Sequence, residues 1–153
     1  MAKIKDTDKQ MLNLLQRGDL CVPRVTRLAH LMKLPTSTVH ERLKTLQKEN
    51  FIRGYTINLD AEKLEKGFVA FILGQAKLGK EMQFEKGAEC LMKLPQVQEV
   101  YSIAGEWDYF VKVRVKDKDE YYEVAKEVAK CFEVRGMGII STKCFKDSAN
   151  FQV

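Results

Sequence analysis

Over residues 7 to 49 the apolar positions recur at intervals of three and four, the spacing of one face of a helix. Thr7-Asp8-Lys9-Gln10 has the spacing of a capping box, and Met11, Leu14 and Leu15 follow it. A first helix is expected to run to about Arg17, ended by Gly18 and Asp19. After Val22-Pro23, Arg24 to Lys33 predicts a second short helix with Val25, Leu28, Ala29 and Met32 inward. Lys33-Leu34-Pro35 is a tight connection into a third helix, ending near Glu49, in which Val39, Leu43 and Leu46 share one stripe. Phe51 to Ile57 then alternates like a strand, and the polar run Asn58 to Gly67 reads as a linker.

Beyond residue 67 strand and helix patterns take turns. Phe68 to Leu78 predicts a strand whose first half is apolar on both faces, which implies a second partner, such as another subunit. Glu81 to Leu94 predicts a helix with Phe84, Ala88 and Leu91 inward, stopped by Pro95. Val97 to Ala104 is a second strand, and Gly105-Glu106-Trp107-Asp108 the turn after it. In Tyr109 to Val115, Val111, Val113 and Val115 alternate with Lys112 and Arg114, the pattern of a half-buried strand. Lys118 to Phe132 reads as a helix burying Tyr121, Val124, Ala125, Val128 and Phe132, and Gly138 to Phe145 as the last strand. The order β-α-β-β-α-β is that of a ferredoxin-like sandwich, four antiparallel strands with two helices on one face. The fold class is therefore α+β: three helices over residues 1–57, a linker over 58–67 and a ferredoxin-like domain over 68–153.

Composition narrows the function. The 153 residues are 45% hydrophobic and 31% charged, as in a globular chain. No apolar run reaches membrane-spanning length, and the N-terminus lacks the apolar core of a signal peptide, so a cytoplasmic location is expected. The two histidines, His30 and His40, have no cysteine at ligand spacing, so neither a metal site nor a cofactor is expected. Cys21, Cys90, Cys131 and Cys144 are far apart, and all four read as free thiols in the core. Residues 1–60 hold eleven lysines and arginines against six acids, a balance of +5. The other 15 bases and 15 acids cancel, so only the first domain is suited to a polyanion.

On the third helix, Ser37, Thr38, Glu41, Lys44, Thr45 and Lys48 fall opposite the apolar stripe. Short polar groups reach base edges and ammonium groups reach phosphates, which suits a helix entering a major groove. Three helices with a short turn between the second and third match a helix-turn-helix, in which the third reads the DNA. Ser37, Thr38, Glu41 and Lys44 are the candidates for base edges. Arg42 and Lys48 are candidates for phosphates, with a salt bridge inside the bundle the alternative for Arg42. Arg24 and Arg27 extend the phosphate footprint, and Thr36, His40 and Thr45 complete the DNA-facing set.

Leu34 to Leu46 with Phe51-Ile52-Arg53-Gly54-Tyr55, and Leu94-Pro95-Gln96-Val97 through Tyr101 to Gly105-Glu106-Trp107-Asp108-Tyr109, resemble the Lrp/AsnC, or feast/famine, transcriptional regulators of archaeal type. Gly136-Met137 followed by Ser141-Thr142 is a weaker third match. The resemblance implies a winged-type helix-turn-helix joined to an ACT-like effector domain. It implies a homo-oligomeric regulator of double-stranded DNA, a dimer and often an octamer, answering to an amino acid. It places the effector between subunits, near Tyr101, Gly105, Trp107, Asp108, Gly136 and Thr142. The same Gly-x-Trp-Asp run also serves as a plain turn between strands. The sequence departs from the family at Lys5, where an Asp is usual, at Gln96, where a Gly is usual, and at Ile139-Ile140. A rival reading is an enzyme of the same two-domain build resembling sirohaem decarboxylases. Against it, the second domain has no histidine, its arginines are Arg114 and Arg135, and no acid–base pair stands out.

Overall fold

The computed structural model describes residues 5–16, 21–76, 81–132 and 135–147, with only the backbone at 81–84. The chain divides into two compact units, Met1–Leu59 and Asp60–Val153.

The first unit contains α1 (Asp6–Leu15), α2 (Val25–Met32) and α3 (Thr36–Lys48). The expected capping box does not form. The N-cap is Lys5, which has no side-chain acceptor to offer, and Asp6 and Asp8 instead place negative charge in the first turn. The expected terminators Gly18 and Asp19 lie outside the described residues. Ala29 and Val39 are buried where α2 meets α3, and Val25, Leu28 and Leu43 are half-buried. Met32 and Leu46, expected inward, stay 49% and 38% exposed. Helix α2 ends at Lys33, which is left-handed (φ 54°). The Lys33 and Leu34 amides donate to the His30 and Ala29 carbonyls, and Pro35 leads straight into α3. Phe51 to Ile57, expected as a strand, pairs with no strand among the described residues. Ile52, Tyr55 and Ile57 are half-buried, but Arg53 and Gly54 between the first two are both exposed, so the strict alternation of a strand breaks at Gly54. A ladder also needs a second strand, and the described sheet is made entirely from the other unit.

The second unit runs β1 (Phe68–Gly74), α4 (Glu81–Met92), β2 (Val97–Ser102), β3 (Tyr109–Val115), α5 (Lys118–Lys130) and β4 (Gly136–Ile140). The sheet order is β2-β3-β1-β4 and every pair is antiparallel. Strand β4 begins two residues before its expected start and stops at Ile140, although the Ser141 amide still donates to the Val69 carbonyl. Val111, Val113 and Val115, on alternate positions of β3, are fully buried with Leu91 of α4 and Val128 of α5. Alternation of apolar and polar residues has thus selected one face for the helices. The other face of β1 is apolar too, with Val69 buried and Phe71 and Leu73 half-buried. Glycines in β1 and β4 leave room for aromatic rings from α5 and its end. A Cβ on Gly74 would strike the Phe132 ring, and one on Gly138 the Tyr121 hydroxyl.

Helix α5 is capped by Asp117, whose carboxylate accepts from the amides of Asp119 (3.1 Å) and Glu120 (2.9 Å). The Glu120 carboxylate in turn accepts from the Lys116 amide (2.6 Å) and from Lys66 Nζ (2.8 Å). Asp60 to Lys66, expected within the linker, is a series of hydrogen-bonded turns belonging to the second unit, and this ion pair ties its end to α5. One expectation about the cysteines is corrected. Cys90 and Cys131 form a disulfide, with 5.6 Å between Cα atoms, joining α4 to the end of α5. Their 41-residue separation hid a proximity that exists only once both helices lie on the same sheet face. Cys21 and Cys144 are free thiols as expected, but Cys21 is half-buried and Cys144, past the end of β4, is exposed rather than in the core.

Candidate functional site

In the first unit the buried stripe through Val39 fixes which side of α3 faces water. Ser37, Glu41, Lys44 and Lys48 lie on the far side, all exposed, on a helix about 20 Å long at ~1.5 Å per residue. Lys44 pairs with Glu41 at 3.6 Å, an exposed contact of one helical turn that solvent and salt weaken readily. The two flanks of α3 differ. Thr38, Arg42 and Thr45, with Ser37 and Glu41 at its edge, border an open groove of about 830 Å³ beside Leu28, Met32 and Leu46. His40 and Lys44 border a second groove with Arg53, Gly54 and Tyr55. The Thr45 hydroxyl donates back to the Glu41 carbonyl (3.0 Å), which occupies its proton within the helix. Among the described residues Arg42 has no ion-pair partner, so the bundle salt bridge weighed as its alternative does not form. Thr36 stands exposed at the first position of α3, and Arg24 and Arg27 are exposed at the start of α2.

In the second unit the turn between β2 and β3 is built around Gly105, whose φ of +147° suits glycine alone. The Asp108 amide donates to the Gly74 carbonyl (3.0 Å), and the Asp108 carboxylate accepts from the Ala76 amide (2.8 Å). The turn is therefore clamped onto the end of β1. Gly136 joins this end of the sheet by pairing with Gly74. Three residues that sequence reasoning left out complete the group. Arg135, just before β4, lies over the Trp107 ring at 4.6 Å from its centre, donates through Nε to Gln75 Oε1 (3.0 Å) and pairs with the Glu106 carboxylate. Gln75 also donates its side-chain amide to the Glu106 carbonyl. The signal available in sequence was slight: Arg135 is one of two arginines in the domain and directly precedes Gly136.

Two of the expected ligand residues stand apart. Tyr101 lies on the sheet face, 6.3 Å from the Phe110 ring centre, and its hydroxyl donates to Glu99 Oε2 (2.9 Å). That hydrogen bond raises the Tyr101 pKa above its usual value. Glu99 is held below the usual carboxylate range, chiefly by the hydrogen bond from Lys112. Thr142 follows the end of β4 that lies beside Val69, while Gly136 is at the other end, beside Gly74. At ~3.3 Å per strand residue the two ends of β4 are about 13 Å apart, and Thr142 lies two residues beyond the far end. Within one chain, Gly105, Trp107, Asp108 and Gly136 come together and Thr142 does not. No helix among the described residues is long and apolar enough to cross a membrane.

Comparison with known proteins agrees with both units. Residues 69–141 match the Lrp/AsnC ligand binding domain, and residues 10–54 match the IclR helix-turn-helix domain. The chain is 34% identical over 139 residues to an uncharacterised HTH-type transcriptional regulator of Pyrococcus furiosus, covering 90% of each chain. It is 35% identical over 117 residues to the HTH-type transcriptional regulator FL11 of the same organism, covering 76% of this chain and 74% of that one. An AsnC family regulator from Agrobacterium tumefaciens superposes with a TM-score of 0.79 over 97% of each chain, at 21% identity. A feast or famine regulatory protein from M. tuberculosis, solved with L-methionine, superposes with a TM-score of 0.74 over 95% of this chain and 97% of that one, at 21% identity. These relatives are transcriptional regulators, not enzymes, so the decarboxylase reading falls. With a reading helix on one unit and the matched ligand-binding fold in the other, the chain belongs to the Lrp/AsnC family of DNA-binding transcriptional regulators.

Proposed function

We propose that this regulator works in the cytoplasm as a dimer or a larger assembly of dimers. Each first unit lays α3 in a major groove, and the two copies read half-sites roughly 34 Å apart, or a multiple of that. The observation that carries this reading is the exposed row Ser37, Glu41, Lys44 and Lys48 opposite buried Val39. Ser37, Glu41 and Lys44 meet base edges, while Lys48, Arg42, Arg24 and Arg27 hold phosphates. Thr36, Thr38, His40 and Thr45 line the approach. Self-association is supported by the second apolar face of β1, where Val69, Phe71 and Leu73 lie on the side away from the helices.

The turn around Gly105 takes an amino acid. Among the described residues the Gly105, Glu106 and Trp107 amides have no backbone acceptor, so they are free to hold an α-carboxylate. Asp108 accepts from the α-ammonium. Thr142, beyond the opposite end of β4 in its own chain, would join such a site from a second copy, which supports a ligand held between subunits. A ligand that fits one assembly better than another by ~1–3 kcal/mol shifts DNA occupancy severalfold.

Selection of bound duplexes from a random pool at near-physiological salt tests the DNA half of this reading. The expected outcome is an inverted repeat with half-sites one or two helical turns apart. In the same assay Lys44→Ala should change the selected sequence, and Lys48→Ala should weaken all duplexes alike and lower the salt slope by about one. Variants that bind every duplex like the parent would remove α3 from the interface.

A further inference from the structure

The turn that gathers Gly105, Trp107 and Asp108 offers more recognition groups than a bare amino acid uses. Its α-carboxylate has the open amides of Gly105, Glu106 and Trp107, and its α-ammonium has Asp108. Arg135 is then left over, and it is the most firmly set cation of the group. Its face rests on Trp107 at 4.6 Å, its Nε donates to Gln75 Oε1 at 3.0 Å, and its Nη2 meets the Glu106 carboxylate. The Gln75 amide donates to the Arg135 carbonyl at 2.9 Å, so the backbone of Arg135 is fixed as well. A guanidinium held by its face and one edge loses little freedom when a carboxylate comes to its remaining donors.

From these placements we infer that the effector is a dicarboxylic amino acid, that Arg135 selects its side-chain carboxylate, and that Glu106 occupies Arg135 until the effector arrives. The inference rests on the reading that this turn binds an amino acid. The spacing fits a small ligand. Asp108 is anchored to Ala76 and Arg135 to Gln75, neighbours in the chain whose Cα atoms lie about 3.8 Å apart. The ammonium acceptor and the carboxylate donor are thus both tied to the same end of β1, through consecutive residues. The Arg135–Glu106 pair, with the two side chains 53% and 67% exposed, is of the weak and exchangeable surface type. A ligand carboxylate makes the same contact with its backbone already anchored at two other points, so it displaces Glu106. An apolar side chain leaves the Arg135–Glu106 pair intact and gains nothing from it. A basic side chain meets Arg135 as a like charge.

Isothermal titration of the full-length protein with L-glutamate, L-aspartate, L-methionine and L-lysine tests this. One of the two acids should bind at least about tenfold more tightly than L-methionine, with L-lysine weakest. Arg135→Gln should erase that advantage while leaving L-methionine unchanged, and its melting temperature should match the parent's. Glu106→Gln should tighten the acid severalfold by vacating the guanidinium. If L-methionine or L-lysine binds as tightly as either acid, or Arg135→Gln leaves the order intact, the assignment of Arg135 is overturned and the amino-acid reading stands. If none of the four ligands binds a preparation that still recognises its selected duplex, the amino-acid reading itself is overturned and this inference with it.

Discussion

Among the described residues, the first unit buries the side chains of Ala29 and Val39, while the second buries twelve apolar side chains around β1 and β3. The first unit leaves Met11, Leu14, Met32, Leu46 and Phe51 substantially exposed and keeps an open groove beside α3. The second closes its helices over the sheet, fills its glycine gaps with aromatic rings and adds a disulfide. Apolar burial is the main favourable term in folding, so stability is concentrated in the unit that matches the ligand binding domain. The reading unit is left thin and depends more on what it binds. That division suits a regulator: the scaffold keeps its shape while the reading surface stays adjustable.

The contrast is broken most directly by matched truncations. Leu91→Ala empties a fully buried position between α4 and the sheet and should cost about 2–5 kcal/mol in urea unfolding. Leu46→Ala, at a position already 38% exposed, should cost less than about 1 kcal/mol. Equal losses would mean that the two cores are equally tight. Next in size is the disulfide. Opening the 41-residue loop between Cys90 and Cys131 with a reductant should lower the unfolding free energy of the second unit by about 2–4 kcal/mol. Helical signal from the first unit, followed in the same titration, should not move.

A smaller effect sharpens the comparison from the other side. Lys33 sits in the left-handed region with φ 54°, which costs a side-chain-bearing residue roughly 1 kcal/mol. Lys33→Gly should therefore stabilise the first unit by a few tenths to about 1 kcal/mol, read as a higher melting temperature for DNA binding. The smallest effect is on the acid limb of the second unit. Backbone hydrogen bonds, from the Glu120 amide first, hold Asp117 below its usual pKa, and the hydrogen bond from Lys66 does the same for Glu120. Folded values that lie below the unfolded ones give stability that is complete above the unfolded pKa and lost as pH falls through the lowered values. The loss should appear below about pH 4.5. Asp117→Asn keeps the cap without the charge, so it should flatten this loss in a series of melts from pH 7 to pH 3.

What was legible in the sequence was whatever has a period. Val111, Val113 and Val115 announced β3 to the residue, and Val39 with Leu43 fixed the orientation of α3. Features set by tertiary proximity were not legible. Cys90 and Cys131 meet because α4 and α5 share a sheet face, which no spacing rule reveals. The strand expected at Phe51 to Ile57 has no partner among the described residues, and its burial skips a step between Ile52 and Tyr55, so the apolar spacing reported partial burial and not pairing. At the turn between β2 and β3, Gly105 and Asp108 were legible as turn residues because a sharp turn demands such residues. Arg135, Gln75 and Glu106 went unseen because each is an ordinary polar residue until the sheet brings it to that end.

The placement of the Arg135–Glu106 pair has an evolutionary consequence. Both side chains are more than half exposed, at the rim of a sheet whose core owes them nothing. Substitutions at such positions typically change stability by less than about 0.5 kcal/mol. Lineages descended from one regulator can therefore exchange these two residues without risk to the fold. With the ligand role inferred above for Arg135 and Glu106, effector preference would be free to drift by single steps while the architecture around it is inherited unchanged.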